Sequence, residues 1–309
     1  MYKTEKFEVR TPAEIKQDID SMAAICNDLR EVSKKLGHDG EFTREAAVML
    51  IDRVPELNYH QGFVMVYNWL LSGAKTAFLQ DANTVIMKTD QLVDVLKYLR
   101  KTFVSIIRVT SYARSKTLAQ KKPEELTAIR QAGLDRLHVG LETGDDDLLK
   151  KIKKGVTADG HIKGGQKSLQ AGFELSEYWM PGLGGREMWQ QHAKNTARVL
   201  NQINPHYIRS RPFFAMPGTP LYDAIEKKDF QMLSAKEHLL ELKEMMEELD
   251  VTSRICFDHA GNYWRNRQGG LLFTQSYEGY KFPEEKSNVL DLIDEGLEAQ
   301  NKRPEFLRL

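Results

Sequence analysis

The strongest constraint on the fold is an apolar run, Leu137–Leu141, that ends in the polar turn Glu142-Thr143-Gly144. The run has the length of a buried strand. The segment DDDLLKKIKKG follows it with acids first and lysines last, as a helix dipole favours. A carboxylate at the carboxyl end of a buried strand lies where α/β proteins place their ligand chemistry. Glu142 is therefore a candidate binding residue, and the alternative role is to cap the following helix.

Strand and helix patterns alternate along the middle of the chain. Between Thr76 and Ser210, five β-rich runs are separated by helical patterns, and each unit spans roughly 25–40 residues, the interval that a crossover between parallel strands requires. The predicted strands are Thr76–Asp81, Phe103–Val109, Leu137–Leu141, Phe173–Trp179 and His206–Ser210. The alternation predicts an α/β fold with a parallel sheet, and a barrel and an open doubly wound sheet both fit it.

Helical patterns flank this core. The first runs from Thr11-Pro12 to about Lys35, with Glu14 completing a capping box. The segment from Arg254 onward is aromatic-rich and irregular, and EEKSNVLDLIDEGLEAQ then predicts a closing helix. We expect residues 1–230 to form a partial barrel and residues 231–309 a helical and irregular extension.

The composition excludes several classes of protein. The 309 residues carry 44 Lys+Arg and 44 Asp+Glu, so bulk charge favours neither nucleic acid nor an anionic membrane as a partner. No apolar run reaches the roughly 18–20 residues of a membrane span, and MYKTEKFEVR has no apolar signal core. Cys26 and Cys256, the only cysteines, form no disulfide framework. These features predict a cytoplasmic protein with no membrane partner.

Polar or small residues follow all five predicted strands. In a parallel barrel these strand ends converge on one face, whereas a single polar strand end is usually a turn or a helix cap. The five groups are Gln80-Asp81, Ser111–Arg114, Glu142–Gly144, Gly182–Gly185 and Arg209–Arg211. The glycines let a backbone approach a ligand or form a tight turn, and the two arginines either bind a carboxylate or form surface salt bridges.

Several segments together resemble the radical S-adenosylmethionine (SAM) superfamily. They are FLQDAN, SYARSKTL, LDRLHVGLETGDDDLLKKIKKG, YWMPGLGG and IRSRPFFAMPGTPLY, and they cover about residues 1–230. The branch that contains the oxygen-independent coproporphyrinogen oxidases and the Elongator catalytic subunit is the most similar. The resemblance implies a partial (β/α) barrel whose intact form cleaves SAM reductively to a 5′-deoxyadenosyl radical, which abstracts hydrogen from a substrate.

The resemblance also implies roles for individual residues. Residues at the strand tips bind the adenine, ribose, amino group and carboxylate of SAM. The residues that match these positions are Tyr2, Gln80, Asp81, Glu142, Thr143, Gly182, Gly184, Arg209 and Arg211. The family further implies a small-molecule substrate and a reductant such as flavodoxin or ferredoxin. No catalytic residue and no metal ligand is identified.

One feature of the family is missing from the sequence. Radical SAM enzymes hold a [4Fe–4S] cluster with a CxxxCxxC loop after the first strand, and this chain has no such loop. The segment MYKTEKFEVRTPAEIKQDI resembles the sequence that follows the third cysteine. We therefore expect the chain to be a fragment that holds SAM but no cluster, the cluster being confined to a longer protein.

Two other interpretations remain open at this stage. The first is a degenerate barrel that binds a nucleotide-like ligand or a partner without catalysis. The second is an unrelated barrel enzyme with acid–base chemistry, for which Asp81 and Glu142 are the only paired carboxylates. Substrate identity does not follow from the fold.

Overall fold

The computed structural model describes residues 8–80 and 82–301. In that range the chain forms an α/β fold with a mostly parallel arrangement of strands, as predicted. The α-helices are α1 (Pro12–Lys35), α2 (Arg44–Arg53), α3 (Gln61–Leu71), α4 (Thr89–Thr102), α5 (Ser115–Gln120), α6 (Pro123–Gln131), α7 (Asp146–Lys151), α8 (Ala158–Gln170), α9 (Gly185–Ile203), α10 (Pro220–Glu226), α11 (Ala235–Glu248) and α12 (Lys286–Asn301). The strands are β1 (Thr76–Leu79), β2 (Arg108–Ala113), β3 (Arg136–Glu142), β4 (Glu174–Trp179), β5 (Tyr207–Ser210), β6 (Arg254–Cys256) and β7 (Tyr280–Lys281).

The chain divides into two compact units. The first comprises the chain up to Ser111 together with Glu124–Arg136, and the second comprises Tyr112–Pro123 together with the chain from Leu137 onward. The boundary expected after residue 230 remains a prediction.

The first unit is a group of helices beside β1 and β2. Helix α1 begins with the predicted capping box of Thr11 and Glu14 and packs against α2, α3 and α4. Leu29 of α1 and Leu96 of α4 are fully buried, and burial of each leucine contributes roughly 1.5–3 kcal/mol. Strands β1 and β2 pair in parallel, with Thr76 opposite Arg108. The predicted capping and the parallel pairing are both confirmed.

The predicted position of the second strand is wrong. The sequence predicts Phe103–Val109, but β2 begins at Arg108 and ends at Ala113. Val104 and Ile107 are 88% and 71% exposed, whereas Phe103 and Ile106 are buried, so this segment is a turn that packs two of its apolar side chains and precedes the strand. Asp135 fixes the start of β2, because its carboxylate accepts the Val109 backbone N–H at 2.7 Å.

The second unit contains the strands that position the candidate site. Strands β4, β5 and β6 pair in parallel, and β7 pairs antiparallel with β6. In this register Tyr178 lies opposite Arg209, and Arg209 lies opposite Cys256. Side chains alternate between the two faces of a strand, so Tyr178, Arg209 and Cys256 share one face.

Helices cover the other face of these strands. Trp179 and Ile208 are fully buried there, and α8 packs on β4 while α9 packs on α8 and α11. The closing helix predicted near the C-terminus is present as α12. The prediction of an irregular segment from Arg254 onward is wrong in part, because β6 and β7 lie within it and extend the sheet. These strands are only three and two residues long, so they leave almost no alternating pattern in the sequence.

Candidate functional site

The tip of β3 carries a close pair of opposite charges. Lys154 Nζ lies 2.8 Å from Glu142 Oε1, and the two side chains are 26% and 22% exposed. The pair lies over Gly140, because a Cβ at that position would be 2.3 Å from Glu142 Oε1 and 3.1 Å from Lys154 Nζ. The absence of a side chain at Gly140 therefore makes the space in which the pair sits. Among the described residues Glu142 Oε2 has no hydrogen bond, so one carboxylate oxygen is left for a ligand.

Glu142 itself has a strained backbone. Its φ is +64°, in the left-handed region that costs a residue with a side chain of order 1–2 kcal/mol. The neighbouring strand stabilises this conformation, since the Met180 N–H donates to the Glu142 carbonyl at 2.9 Å. Strain of this kind clusters at functional sites, and here it turns the carboxylate back over Gly140.

Glu142 is not the cap of the helix that follows. Asp145 has that role, because its Oδ1 accepts the Leu148 N–H at 2.9 Å at the start of α7. Gln191 and Asn195 donate to its other oxygen at 2.7 and 2.6 Å. These hydrogen bonds lower the pKa of Asp145, although burial opposes them. The alternative role that the sequence allowed for Glu142 is therefore excluded.

Thr143 is tied into a buried network and does not face solvent. Its hydroxyl lies 2.7 Å from His192 Nδ1, and His192 Nε2 lies 3.1 Å from the Met180 carbonyl. Because a carbonyl only accepts, Nε2 carries the proton and Nδ1 accepts from the Thr143 hydroxyl. Burial lowers the pKa of His192 to about 4, so the ring is neutral at pH 7. The network joins the chain after β3 to the chain after β4.

The glycine turn after β4 is held by a buried acid. Gly182 has a φ of +83°, and its N–H donates to Glu241 Oε2 of α11 at 2.6 Å. Burial raises the pKa of Glu241 to about 8, while the Gly182 hydrogen bond lowers it. The other oxygen, Oε1, has no hydrogen bond and lies 3.9 Å from His192 Nε2. Gly184 is the N-cap of α9, so the turn leads directly into a helix.

The shared face of β4 and β5 is polar and aromatic. Tyr178 forms a hydrogen bond with His138 Nδ1, and Tyr112 contacts the same imidazole ring edge-on at 6.0 Å. The Arg211 guanidinium lies over the Tyr178 ring at 4.3 Å. Burial raises the pKa of Tyr178 to about 12, and the Arg211 and Arg209 charges lower it. The phenol therefore stays neutral and acts as a hydrogen-bonding group at physiological pH.

A second buried acid lies on β4. Glu177 is 1% exposed, and neither carboxylate oxygen has a hydrogen bond. Burial raises its pKa well above the usual value, Lys154 lowers it and Glu142 raises it. Burial therefore favours the protonated, neutral form of Glu177, since a buried unpaired carboxylate would be costly.

The described residues do not fit an iron–sulfur cluster. They contain no group of three or more His, Cys, Asp or Glu side chains that can hold a metal ion. Cys26 and Cys256 are both buried. Burial raises the pKa of the Cys256 thiol to about 12, and it raises that of Cys26 as well. Two protonated thiols cannot supply the cluster's thiolate ligands.

The structure places the sequence-predicted site residues unevenly. Tyr2 and Asp81 lie outside the described residues. Gln80 is exposed directly after β1, in the first unit. The remaining predicted residues lie at the ends of strands in the second unit, namely Glu142, Thr143, Gly182, Gly184, Arg209 and Arg211.

Sequence reasoning missed five residues of this region. Lys154 was visible only as part of the KKG that follows the GLETG segment, and nothing in that pattern indicated its pairing with Glu142. His138, Tyr178 and His192 are single polar residues inside strand and helix patterns. Glu241 lies on a helix of the C-terminal extension, 59 positions from the glycine it contacts.

Comparison with known proteins identifies the fold family. Residues 46–194 match the model of the radical SAM superfamily. The chain contains a radical SAM domain. The structure of Elp3 from Methanocaldococcus infernus, with an N-terminal deletion, superposes with a TM-score of 0.50 at 15% sequence identity, covering 74% of this chain and 55% of that one. The likeness confirms the expected fold class.

Two curated relatives each match half of this chain or less. The tRNA uridine(34) acetyltransferase of Methanocaldococcus jannaschii is 26% identical over 140 residues, 44% of this chain and 26% of the relative. The heme chaperone HemW of Bacillus subtilis is 25% identical over 155 residues, 50% of this chain and 40% of the relative. The chain therefore spans well under two thirds of either relative. No helix among the described residues combines the length and apolar content that a membrane crossing needs.

Proposed function

We propose that this chain binds SAM, with the Glu142–Lys154 pair holding the amino-acid end of the molecule. That end carries an ammonium and a carboxylate on one carbon, and the pair offers a carboxylate and an ammonium 2.8 Å apart. The ligand's ammonium can pair with the Glu142 carboxylate while its carboxylate pairs with the Lys154 ammonium, so no charge is left unpaired. The single observation that carries the proposal is this pair, seated over Gly140 at the tip of β3.

The other predicted residues contribute to the structure around the pair. The glycine turn at Gly182–Gly185 is buried, and the space over Gly182 is filled by the His238 ring, so the absence of side chains there allows close internal packing. The Thr143 hydroxyl is hydrogen-bonded to His192, so Thr143 fixes the position of the chain after Glu142 and does not contact the ligand. Arg209 is likewise occupied, because its guanidinium pairs with Asp258 at 2.7 Å. The proposal therefore places SAM recognition on Glu142 and Lys154 and leaves Arg209 a structural role.

The proposal covers SAM binding and not its cleavage. Radical SAM proteins use SAM together with a [4Fe–4S] cluster, and the 309 residues include only two cysteines, both buried. Reductive cleavage, and the flavodoxin or ferredoxin that the family implies, belong to a protein that holds a cluster. The alternative is a domain that binds a ligand without catalysis, and it is supported by the same observation that both cysteines are buried. The relatives' names point to different substrates, tRNA and heme, so neither substrate is assigned to this chain.

Calorimetry on the 309-residue chain tests the proposal. The titrants are SAM, S-adenosylhomocysteine and 5′-methylthioadenosine, of which the last lacks the amino-acid group. We expect 5′-methylthioadenosine to bind at least about tenfold more weakly than SAM. Loss of a charged hydrogen bond costs roughly 1.5–3 kcal/mol, so Glu142→Ala and Lys154→Met should each weaken SAM binding by about 10- to 150-fold.

Matched controls separate this result from general damage. Glu247→Ala removes an exposed carboxylate from α11 and should leave SAM affinity unchanged. Both site variants should bind 5′-methylthioadenosine as the parent does, because the adenosine half does not use the pair. Equal affinity of the parent for SAM and 5′-methylthioadenosine would show that the pair does not recognise the amino-acid group. Absence of binding by all three titrants would remove the proposed function.

A further inference from the structure

Two arginines on one face of β5 have very different surroundings. Arg209 is 1% exposed and fully partnered. It pairs with Asp258, donates to Ser176 Oγ at 3.1 Å and to the Tyr277 carbonyl at 3.2 Å, and lies 3.8 Å above the Tyr277 ring. Every part of this guanidinium is used by the protein itself.

Arg211, two residues further on, has no such partners. It is half-buried, its backbone N–H donates to the Trp179 carbonyl at 2.9 Å, and its guanidinium carbon lies 4.3 Å from the centroid of the Tyr178 ring. Within residues 8–80 and 82–301 no carboxylate pairs with it. The Tyr178 ring thus positions the guanidinium, whose N–H groups have no hydrogen-bond partner among the described residues. A guanidinium held in this way is prepared for the planar, two-pronged recognition of an oxyanion.

The loop after β6 is held beside the end of β5, near Arg211. Asn262 is buried and exchanges two hydrogen bonds with Ser210, at 2.8 and 2.9 Å, which fixes the 258–264 loop beside the end of β5. Burial and the Arg211 charge both lower the pKa of His259 on this loop. His259 is therefore neutral at pH 7, and Arg211 supplies the positive charge.

Two exposed aromatic side chains lie on the segments that follow β5 and β6. The Phe214 ring packs against Gly261, where a Cβ would lie 2.7 Å away, so the loops after β5 and β6 are in contact there. Phe214 and Tyr263 are nevertheless 48% and 60% exposed. Exposed rings beside an unpaired guanidinium favour a ligand that joins an apolar or aromatic body to an anionic group.

We propose that Arg211 binds a carboxylate or phosphate group of the substrate, whose apolar or aromatic body lies against Phe214 and Tyr263. The inference rests on the proposed function, since it assigns the SAM carboxylate to Lys154 and leaves the Arg211 charge for a second anion. It differs from the role that the family resemblance implies, in which Arg211 reaches the SAM carboxylate.

Three aromatic probes test the site by NMR, read at the backbone amide signals of residues 211, 213, 214 and 258–264, which the parent and its variants share. Benzoate carries a carboxylate, phenyl phosphate carries a phosphate, and benzamide is neutral. We expect one or both anions to bind at millimolar concentration, with benzamide at least about tenfold weaker, and the tighter anion identifies the group. Arg211→Gln should abolish the anion preference, while Arg211→Lys should retain part of it. Arg198→Gln, an exposed arginine of α9, should change nothing.

A SAM titration of Arg211→Gln distinguishes this proposal from the other role. Unchanged SAM affinity together with lost anion binding supports the substrate site. A tenfold loss of SAM affinity with unchanged 5′-methylthioadenosine affinity would assign Arg211 to the SAM carboxylate and overturn the proposal, as would equal binding of benzoate, phenyl phosphate and benzamide. If the parent binds the anions but not SAM, the proposed function fails while the anion site stands.

Discussion

The substitution Glu241→Gln should make the protein more stable at neutral pH. In the folded chain Glu241 is buried, accepts the Gly182 N–H and has a pKa of about 8, against an ordinary value of 4.5. The folded state therefore retains a proton that the unfolded state releases above pH 4.5. Stability consequently falls as the pH rises from about 4.5 to about 8 and then levels off.

The magnitude follows from the two pKa values. A rise from 4.5 to about 8, at about 1.4 kcal/mol per pH unit, corresponds to about 5 kcal/mol of lost stability above pH 8 and about 3 kcal/mol at pH 7. Glutamine resembles the protonated acid, since its amide oxygen still accepts the Gly182 N–H and no proton is released on unfolding. The variant should match the parent at pH 4–5 and exceed it by about 3 kcal/mol at pH 7.

Urea denaturation at unit intervals from pH 5 to pH 9, followed by circular dichroism, measures the difference. Glu177 also has a raised pKa, but it is present in both proteins and cancels in the comparison. Glu247→Gln, an exposed position on the same helix, is the matched control and should show no pH-dependent gain. A Glu241→Gln effect of constant size across the pH range would refute the reasoning, because it would show that the carboxyl does not titrate differently in the folded state.

Two further predictions concern the strand tip and the cysteines. Gly140→Ala should displace the Glu142 carboxylate, which is the flexible end of a side chain, so we expect about a tenfold loss of SAM affinity by calorimetry with a change in unfolding free energy below about 1 kcal/mol; unchanged affinity would show that the pair does not need the space over Gly140. Anaerobic treatment with iron and sulfide should leave the 309-residue chain colourless, because its two cysteines are buried and protonated; a stable cluster with about four iron atoms per chain would contradict this.

Local sequence signals predicted much of the architecture. The alternation of β-rich runs and helical patterns predicted the parallel arrangement. The capping residues Thr11 and Glu14 predicted the first residue of α1 correctly. The errors have a common physical cause. Val104 and Ile107 before β2 lie on the surface, and the short strands form because β6 pairs with β5 and β7 pairs with β6. In both places tertiary context overrides the local pattern.

The candidate site was predictable only in part for a related reason. The sequence located Glu142 through its position after a buried strand, but its partner lies twelve positions further on, beyond α7. Lys153 has a φ of +55° and Gly155 a φ of +75°, so the chain reverses direction around Lys154 and returns it to the strand tip. The left-handed backbone of Lys153 is not indicated by the sequence, whereas a glycine such as Gly155 is typical of that conformation.

The division of charge at the strand ends links the two proposals. Three cationic side chains near the ends of β3 and β5 have different partners: Arg209 is neutralised by Asp258, Lys154 is paired with Glu142, and Arg211 has an aromatic partner but no anion among the described residues. A zwitterion fits the Glu142–Lys154 pair because both of its charges find partners, whereas a ligand with a net negative charge fits Arg211 alone. The two sites therefore select different ligands by charge. Glu142 has its cationic partner in Lys154, and Arg211 lies over Tyr178 instead. A ligand that used Arg211 for its carboxylate and Glu142 for its ammonium would therefore leave Lys154 without a new anionic partner.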